Sequence, residues 1–485
     1  MPSLTASASI KSTNWRWVIC SLLFFATAIN YLDRQVLSLT WKDFIAPEFH
    51  WTDSDYGTIT GFFSLFYAAI SLFSGRFIDW MGSKKGYLWA IFVWSLAACL
   101  HAGCGWLTMK MEGLDSVAAL ENVQAGSALA LSIASVSVWL FLACRALLAL
   151  GEAGNFPAAI KVTAMYFPKK DRAFATAIFN SGASIGALAA PLSIPLLAKL
   201  WGWEMAFVII GALGFVWMGF WIKFFEKPAD SPYVNKAELA YIQQDEAGES
   251  KTEIIRDETK AIPFWRCFTY RQTWAFIVGK ALTDGVWWFL LFWTPAYFSD
   301  QYGYASYTPM GQMLIFTLYM IVTVFSIMGG YLPKYYVERR GMEPYPGRMK
   351  AMLIFAFIPT VALLAQPLGV YSAWWPSVII GFVCAAHQAW SANLYSTVGD
   401  MFPTSSVATI VGIGTMAGGL DSYIMCQGSG MLFDYAAAQG GAFTFAGFEA
   451  KPAAYMVVFT VCAFSYLLAW AIMKALVPRF KKINP

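Results

Sequence analysis

Of the 485 residues of the chain, 58% are hydrophobic and only 13% are charged, whereas an average soluble domain carries about 25% charge. The basic residues behind the net charge of +4 lie in short loops between apolar runs, so the charge does not indicate a nucleic-acid partner. A soluble core holds one or two very apolar helices but not a dozen, which excludes a soluble fold. Because lipid leaves the backbone to satisfy its own hydrogen bonds, the composition predicts an all-α membrane protein.

Twelve apolar segments follow one another along the chain, six on each side of a polar stretch. They lie near 15–40, 55–79, 86–104, 127–152, 173–199, 204–224, 274–298, 310–334, 349–368, 374–399, 406–432 and 453–475. The polar stretch 227–271 suits a cytoplasmic linker, which predicts six-helix bundles over 1–226 and 272–485. Many transporters place a substrate site at the midplane between two such halves.

Lys and Arg are concentrated in the loops at one end of the predicted bundle. That end receives Lys84, Lys85, Lys169, Lys170, Arg172, Arg339, Arg340, Arg348, Lys481 and Lys482, and the other end receives little beyond Lys42, Lys110, Lys199 and Lys451. Such a bias marks the cytoplasmic side. Both termini and the linker are therefore predicted to be cytoplasmic, and the polar residues 1–17 are interpreted as a retained tail. The eight cysteines show no disulfide or zinc-ligand spacing, and no cofactor is expected.

The loop after the second segment reads GRFIDWMGSKK at 75–85. It resembles the signature loop of the major facilitator superfamily, in which a glycine, an aspartate and basic residues recur. The basic residue that usually follows the aspartate is Trp80 here, so a charge relay has to use Arg76, Lys84 or Lys85. The glycine is expected to allow close helix approach. The resemblance implies a conformational role for Gly75, Asp79, Gly82 and Lys84.

Further motifs narrow the resemblance. NYLDR at 30–34, GEAGNFP at 151–157 and IFNSG at 178–182 resemble the anion:cation symporter family. KALTDGVWWF at 280–289 and AHQAWSANL at 386–394 are similar to bacterial hexuronate transporters, which import glucuronate and galacturonate with protons. The resemblance implies a proton-coupled sugar-acid symporter of the bacterial cytoplasmic (inner) membrane that works by alternating access, and we expect a monomer.

Few ionisable residues fall inside the apolar segments. Each costs about 2.5–3.5 kcal/mol at the bilayer centre on insertion scales, and is therefore a functional candidate. They are Asp33, Arg34, Arg145, Glu152, Lys280, Asp284 and Asp421. No partner or role is predicted for Asp421.

Arg145 and Glu152 are two helical turns apart and share one helix face. They are interpreted either as a structural ion pair, or as a proton carrier, Glu152, that a moving Arg145 switches between protonation states. The resemblance implies that Asp33 and Glu152 take the protons. Protons are then the coupling ions, with Asp33, Glu152 and Arg145 as the coupling residues.

Arg34 is the predicted ligand of the substrate carboxylate, because a guanidinium forms two parallel hydrogen bonds to a carboxylate. The alternative is a salt bridge to Asp33 or to another helix. Lys280 and Asp284 are an i, i+4 pair that either neutralises itself or leaves Lys280 as a second anion ligand.

A sugar-acid pocket needs a cation, hydroxyl or amide partners and an aromatic wall. In the tenth segment, polar and aromatic residues recur at three-residue spacing and form one stripe. With the two tyrosines of the N-terminal half that the resemblance adds, the predicted substrate-binding residues are Arg34, Tyr31, Tyr67, Lys280, His387, Trp390 and Asn393.

Other interpretations share part of this evidence. A carrier of another organic anion, such as an aldonate or glucarate, or an anion exporter or exchanger, has nearly every feature above. A membrane enzyme is not expected, because the sequence has no metal cluster, no nucleotide-binding loop and only three histidines. A transporter-like sensor is not expected either, because the linker is too short for a signalling domain.

Overall fold

A computed structural model describes residues 12–244, 262–326 and 328–483. The predicted all-α membrane fold is confirmed. The described part is almost entirely helical, apart from strands Thr444–Phe445 and Phe448–Glu449, which pair in antiparallel register. The predicted tail and the predicted linker 227–271 lie partly outside the described residues.

Twelve helical segments of the described residues, here numbered α1 to α12, coincide with the predicted spans. The first six are α1 (Trp15–Thr40), α2 (Asp53–Met81), α3 (Ser83–His101), α4 (Ala128–Glu152), α5 (Lys169–Trp201) and α6 (Trp203–Phe224). The second six are α7 (Arg271–Ala281 and Asp284–Tyr302), α8 (Pro309–Phe325 and Met328–Glu338), α9 (Pro344–Phe357), α10 (Trp374–Met401), α11 (Thr404–Gln439) and α12 (Ala450–Leu476).

Shorter helices extend or join these segments. A π-helical turn (Trp41–Ile45) and Ala46–Phe49 extend α1, Asn155–Tyr166 continues α4, and Ile358–Leu364 (3₁₀) with Ala365–Gly369 continues α9. Cys104–Met111 and Ala118–Glu121 lie between α3 and α4, Lys236–Ile242 and Phe264–Cys267 between α6 and α7, and the 3₁₀ turn Gly440–Ala442 follows α11.

Ten helices among the described residues are long and apolar enough to cross a bilayer. Counting the bent pair Ser83–His101 and Cys104–Met111 as one span gives eleven. The 28-residue α10 is long enough but is not among them. Its polar side chains, including His387, Gln388 and Asn393, lower its mean hydropathy. The number twelve therefore stays a prediction, and the shortfall falls on the segment that carries predicted pocket residues.

The start of α2 is fixed by a capping box and by the other half of the protein. Thr52 accepts a hydrogen bond from the backbone N–H of Asp55, whose carboxylate accepts one from the backbone N–H of Thr52. Asp434 of α11 accepts from the next two N–H groups, those of Asp53 (3.0 Å) and Ser54 (2.8 Å). Because the first N–H groups of a helix lack partners within it and favour negative charge, Asp434 holds the two halves together here.

The α2 and α11 helices approach closely over their length. A Cβ atom added to Gly57 would lie 2.8 Å from the carbonyl oxygen of Cys426, and one added to Gly61 would lie 3.2 Å from Tyr423. Small residues permit such close packing of membrane helices. The two helices therefore form a principal contact between the halves.

Four charged side chains form an inter-half cluster at one end of the bundle, here called the distal end. Lys42 lies 3.1 Å from Asp53 and 3.0 Å from Asp300, while Lys451 lies 2.6 Å from Asp53 and also pairs with Asp300. Lys42 and Asp53 belong to the N-terminal half, and the other two residues belong to the C-terminal half. These residues, here called the distal cluster, join the two halves at the distal end.

The opposite, proximal end carries ion pairs of a different kind. Three of those that the described residues form there join residues of the same half: Lys84 with Glu226, Lys161 with Asp79, and Arg348 with Asp400. A fourth joins Arg16 of α1 to Glu238 in the helix Lys236–Ile242. The electrostatic contacts between the halves are thus concentrated at the distal end.

Replacing Asp300 is expected to open the distal end more often. Asp300→Asn removes a carboxylate that both lysines of the distal cluster contact, and the loss of a partly buried pair costs about 1–2 kcal/mol. A cysteine introduced at Ser64, which is buried on α2, should then react roughly 5- to 30-fold faster with a polar thiol reagent in nanodiscs.

Glu338→Gln is the control for this measurement, because its pair with Lys334 is exposed and should not affect the distal end. The same chain without the introduced cysteine gives the background from the native thiols. Equal labelling rates with and without Asp300→Asn would show that the distal cluster does not hold the end closed.

Candidate functional site

A buried ion pair joins α1 to α4 in the N-terminal half. Nη2 of Arg34 lies 2.7 Å, and Nε 3.0 Å, from the same oxygen, Oε2 of Glu152. Glu152 is fully buried and Arg34 nearly so. Of the alternatives left open for Arg34, the structure shows a salt bridge to another helix and not to its neighbour Asp33.

Arg145 is buried without such a pair. None of its three guanidinium nitrogens has a hydrogen-bond partner among the described residues, and the group lies over the ring of Phe63, 5.3 Å from its centroid. Arg145 and Glu152 are electrostatic neighbours but form no direct ion pair among the described residues. Seven residues separate them by about 10 Å along the helix axis, so Arg34 from α1 reaches the carboxylate more directly.

Asp33 has both carboxylate oxygens buried and without a hydrogen-bond partner among the described residues. Its electrostatic neighbours are Glu152 and Arg145. An ionised carboxylate removed from water costs several kcal/mol unless a cation or hydrogen bonds compensate it. A bound proton and the charge of Arg145 are therefore the two means of compensation at hand.

Three aromatic rings surround the Arg34 guanidinium. Its carbon lies 5.3 Å from the ring centroid of Tyr31, 4.8 Å from that of Tyr67 and 5.3 Å from that of Trp288. Trp288 belongs to α7 and contacts Tyr67 at 6.0 Å. The site around Arg34 thus lies between the halves. Sequence analysis did not single out Trp288, although it belongs to the quoted motif at 280–289.

In the C-terminal half, Lys280 and Asp284 form the predicted i, i+4 pair, with Nζ 2.6 Å from Oδ2. The pair bridges the break in α7 between Ala281 and Asp284. The ammonium also donates to the hydroxyl of Tyr395 at 3.1 Å and lies 4.9 Å from the centroid of that ring. Tyr395 was not predicted from the sequence, where the only indication of a role is its position two residues after Asn393.

Asp421, for which the sequence offered no partner, caps the second part of α7. Its Oδ2 accepts a hydrogen bond of 2.6 Å from the backbone N–H of Gly285. Helix starts favour negative charge, so the carboxylate fixes the broken helix to α11.

His387 is held in an aromatic setting. Its Nδ1 lies 2.7 Å from the hydroxyl oxygen of Tyr466, and its ring stacks on Trp287 with centroids 5.2 Å apart. The side chain is only 5% exposed. Its contacts are thus with a hydroxyl and an indole, beside the break in α7.

Trp390 and Asn393 are both bonded to backbone carbonyls. The Trp390 indole is fully buried and donates to Gly279 at 3.4 Å, whereas the Asn393 amide donates to Gly329 (2.7 Å) and Ala389 (2.8 Å). Trp390 therefore supports the region of the α7 break. Asn393 also lines a cavity of about 340 Å³ between α8, α9 and α10.

The signature loop differs from expectation in two respects. Asp79 pairs at 2.7 Å with Lys161 of the helix that continues α4, which was not among the expected partners Arg76, Lys84 and Lys85. A Cβ atom on Gly75 would meet open space, so the close helix approach expected there is absent in this conformation.

Two other residues of the loop have defined contacts. Gly82 joins α2 to α3 with φ +78°, a conformation that favours glycine. Lys84 pairs with Glu226, at the end of the N-terminal half.

A central site has a wall from each half. Arg34, Tyr31 and Tyr67 form the N-terminal wall, and Trp288, Lys280 and Tyr395 form the C-terminal wall. Trp288 contacts Tyr67, and Tyr395 is an electrostatic neighbour of Tyr31. Asn393 faces the cavity between α8, α9 and α10 instead. The N-terminal wall offers a guanidinium and phenols, and the C-terminal wall offers an indole, an ammonium and a phenol. The described residues hold no cluster of His, Cys, Asp or Glu that could bind a metal. The arrangement suits an organic anion with hydroxyl groups.

Removing one member of the Arg34–Glu152 pair should destabilise the protein strongly. Arg34→Leu or Glu152→Leu leaves the other charge buried without compensation, which costs about 3–5 kcal/mol, while the double variant Arg34→Leu/Glu152→Leu should recover much of the loss. Thermal unfolding of purified protein measures this. Lys161→Gln, which breaks an exposed pair, is the control; an additive loss in the double variant would contradict the pairing.

Comparison with known proteins bears on the family. The model of the Major Facilitator Superfamily matches residues 23–422. The hexuronate transporter of Escherichia coli (strain K12) is 26% identical over 436 residues, which cover 87% of this chain and 89% of that protein. The galacturonate transporter of Dickeya chrysanthemi is 25% identical over 325 residues (67% and 83%), and a probable galactarate/D-glucarate transporter of E. coli (strain K12) is 29% identical over 305 residues (62% and 63%).

Solved structures show the same fold. A bacterial homolog of the human lysosomal transporter Spinster, in an inward-facing and occupied conformation, superposes with a TM-score of 0.64 at 17% identity, covering 95% of this chain and 97% of that chain. A D-xylose-proton symporter gives a TM-score of 0.63 at 14% identity, covering 97% and 100%. The resemblance seen in the sequence is confirmed: the chain belongs to the major facilitator superfamily, as a multi-pass membrane transporter and not an enzyme.

Proposed function

We propose that the protein is a proton-coupled symporter that imports a sugar acid, above all the hexuronates glucuronate and galacturonate, by alternating access. The observation that carries the proposal is the Arg34–Glu152 pair inside an aromatic cage between the halves. Glu152 pairs with Arg34, and a proton can neutralise the Glu152 carboxylate. Arg34 is the cation that suits the carboxylate of a substrate. The names of the hexuronate and galacturonate transporters among its relatives support the substrate class.

The coupling follows from competition for Arg34. A proton on Glu152 removes the charge that Arg34 faces, and the guanidinium then binds the substrate carboxylate through two parallel hydrogen bonds. Without the proton, the pair re-forms and the substrate leaves. Asp33 and Arg145 lie beside this exchange and adjust the charge of the N-terminal wall.

The remaining groups of the central site suit the body of a sugar acid. Trp288 offers a flat ring for the C–H face of the sugar, and Tyr31, Tyr67 and Tyr395 offer hydroxyl partners. Lys280 supplies a further donor from the C-terminal half. A substrate bound to both walls would draw the halves together, as alternating access requires.

The proposed setting is the bacterial inner membrane, with both termini in the cytoplasm and the protein acting as a monomer. The bias of Lys and Arg toward the proximal loops supports this orientation. The distal cluster would then close the extracytoplasmic end, and the central site would exchange substrate with the cytoplasm in this conformation.

Substrate binding is expected to depend on Arg34. A panel of sugar acids should stabilise the purified parent protein against heat, by about 2.7 kcal/mol at a concentration of 100 times Kd, and Arg34→Ala should lose this stabilisation. Arg348→Ala, which removes an arginine from the proximal end, should retain it. If Arg34→Ala binds its anion as well as the parent does, the central site is not the substrate site.

Proton coupling is expected to depend on Glu152. In reconstituted vesicles, Glu152→Gln should lose accumulation driven by an imposed pH gradient while exchanging labelled substrate across the membrane, because the amide binds no coupling proton. Asp171→Asn, at a carboxylate bonded to Tyr241 outside the site, should accumulate substrate like the parent. Gradient-driven accumulation by Glu152→Gln would exclude Glu152 as the proton carrier.

The number of protons sets the response to voltage. One proton transported with one monoanion carries no net charge. A second proton adds one net charge, and the membrane potential contributes about 2.3 kcal/mol per 100 mV to the transport of that charge. Asp33 and Glu152 together can hold two. If one proton is transported with each substrate, uptake into vesicles is expected to be independent of the membrane potential. Such a result would exclude two protons per substrate.

A further inference from the structure

The two walls of the central site differ in their balance of charge. The N-terminal wall has two cations and two carboxylates: Arg34, Arg145, Asp33 and Glu152. The C-terminal wall has one cation and two carboxylates: Lys280, Asp284 and Asp421. A single proton therefore leaves the N-terminal wall with a net positive charge, while the other wall has no cation to spare.

The ammonium of Lys280 already contacts two groups of the protein. Two of its contacts go to the Asp284 carboxylate at 2.6 Å and the Tyr395 hydroxyl at 3.1 Å. An ammonium has three donors, so one remains for a substrate. Because Asp284 neutralises the charge in a buried setting, that donor suits a neutral hydroxyl far better than a second carboxylate.

Asp421 strengthens the asymmetry. Its carboxylate interacts electrostatically with Asp284, and it is bonded to the backbone N–H of Gly285, not to a side-chain cation. His387 is bonded to the hydroxyl of Tyr466 and is an electrostatic neighbour of Lys280. A second negative charge placed at this wall would thus face carboxylates.

We propose that the central site selects monocarboxylate sugar acids against dicarboxylates of similar length, with the Lys280–Asp284 pair and Tyr395 as the determinants of this specificity. The inference rests on the proposed function. The carboxylate of the substrate lies at Arg34, and its hydroxyl end lies at Tyr395 and the remaining donor of Lys280. An aldaric acid would put its second carboxylate where the wall is neutral or negative.

The test compares inhibition of labelled glucuronate uptake by galacturonate and by glucarate in reconstituted vesicles. The parent should prefer galacturonate by at least about tenfold, the factor that corresponds to 1.4 kcal/mol. Asp284→Asn keeps an acceptor for Lys280 but removes the neutralising charge, and should shift the ratio toward glucarate by about tenfold or more. Asp421→Asn, which keeps the bond to Gly285, should shift it in the same direction.

The double variant Lys280→Met/Asp284→Leu removes both charges of the pair, so it should keep the preference of the parent for the monocarboxylate. Asp171→Asn is the control for loss of a carboxylate elsewhere. A parent that takes glucarate as well as galacturonate overturns the inference, as does an unchanged ratio in both Asp284→Asn and Asp421→Asn. A parent that takes up no glucuronate and is stabilised by no sugar acid would instead refute the proposed function itself.

Discussion

Compensation of buried charge is the constraint on which this structure depends. Hydrocarbon provides no water for an ionised side chain, so each charge near the bilayer centre needs a partner, a proton or a bound ion. Arg34 meets this need through Glu152. That solution is exclusive, because the same guanidinium cannot pair fully with Glu152 and bind a substrate carboxylate at once. In the proposed mechanism, this exclusivity allows a proton on Glu152 to control the binding of an anion.

The same constraint applies in the C-terminal half. There the buried charges pair across a break in one helix, whereas in the N-terminal half they pair between two helices. The α7 helix stops after Ala281 and restarts at Asp284, and Lys280 bonds across the gap. Asp421 satisfies the new helix start. Charges in this half therefore stabilise one another and the backbone, whereas Arg145 and Asp33 in the N-terminal half remain without bonds among the described residues. The proposed mechanism accordingly assigns the coupling protons to the N-terminal half.

The sequence predicts the helices and their positions well, because apolar length alone marks a span. It also predicts which charges are buried, and it offers the pairing of Lys280 with Asp284 as one of two alternatives, since an i, i+4 contact lies within one helix. It does not predict that Arg34 reaches Glu152, because that contact depends on how α1 lies against α4. The contacts of Lys161, Asp421 and Tyr395 cannot be predicted for the same reason. Each of these residues contacts a partner on another element, and a single sequence carries no information about distances between elements.

The central site and the distal cluster are mechanically connected through two helices. Arg34 lies on α1, and Lys42 lies eight residues later in its π-helical extension, about 12 Å along the axis. Trp288 lies on α7, and Asp300 lies twelve residues later, about 18 Å away. In the proposed mechanism, a substrate bound between Arg34 and Trp288 would therefore act on the helices whose far ends carry Lys42 and Asp300. The π-helical turn at Trp41–Ile45 lies between Arg34 and the distal cluster, and such turns occur frequently at functional sites. On the proposed mechanism, competition between Glu152 and the substrate for Arg34 would in this way set which end of the transporter is closed.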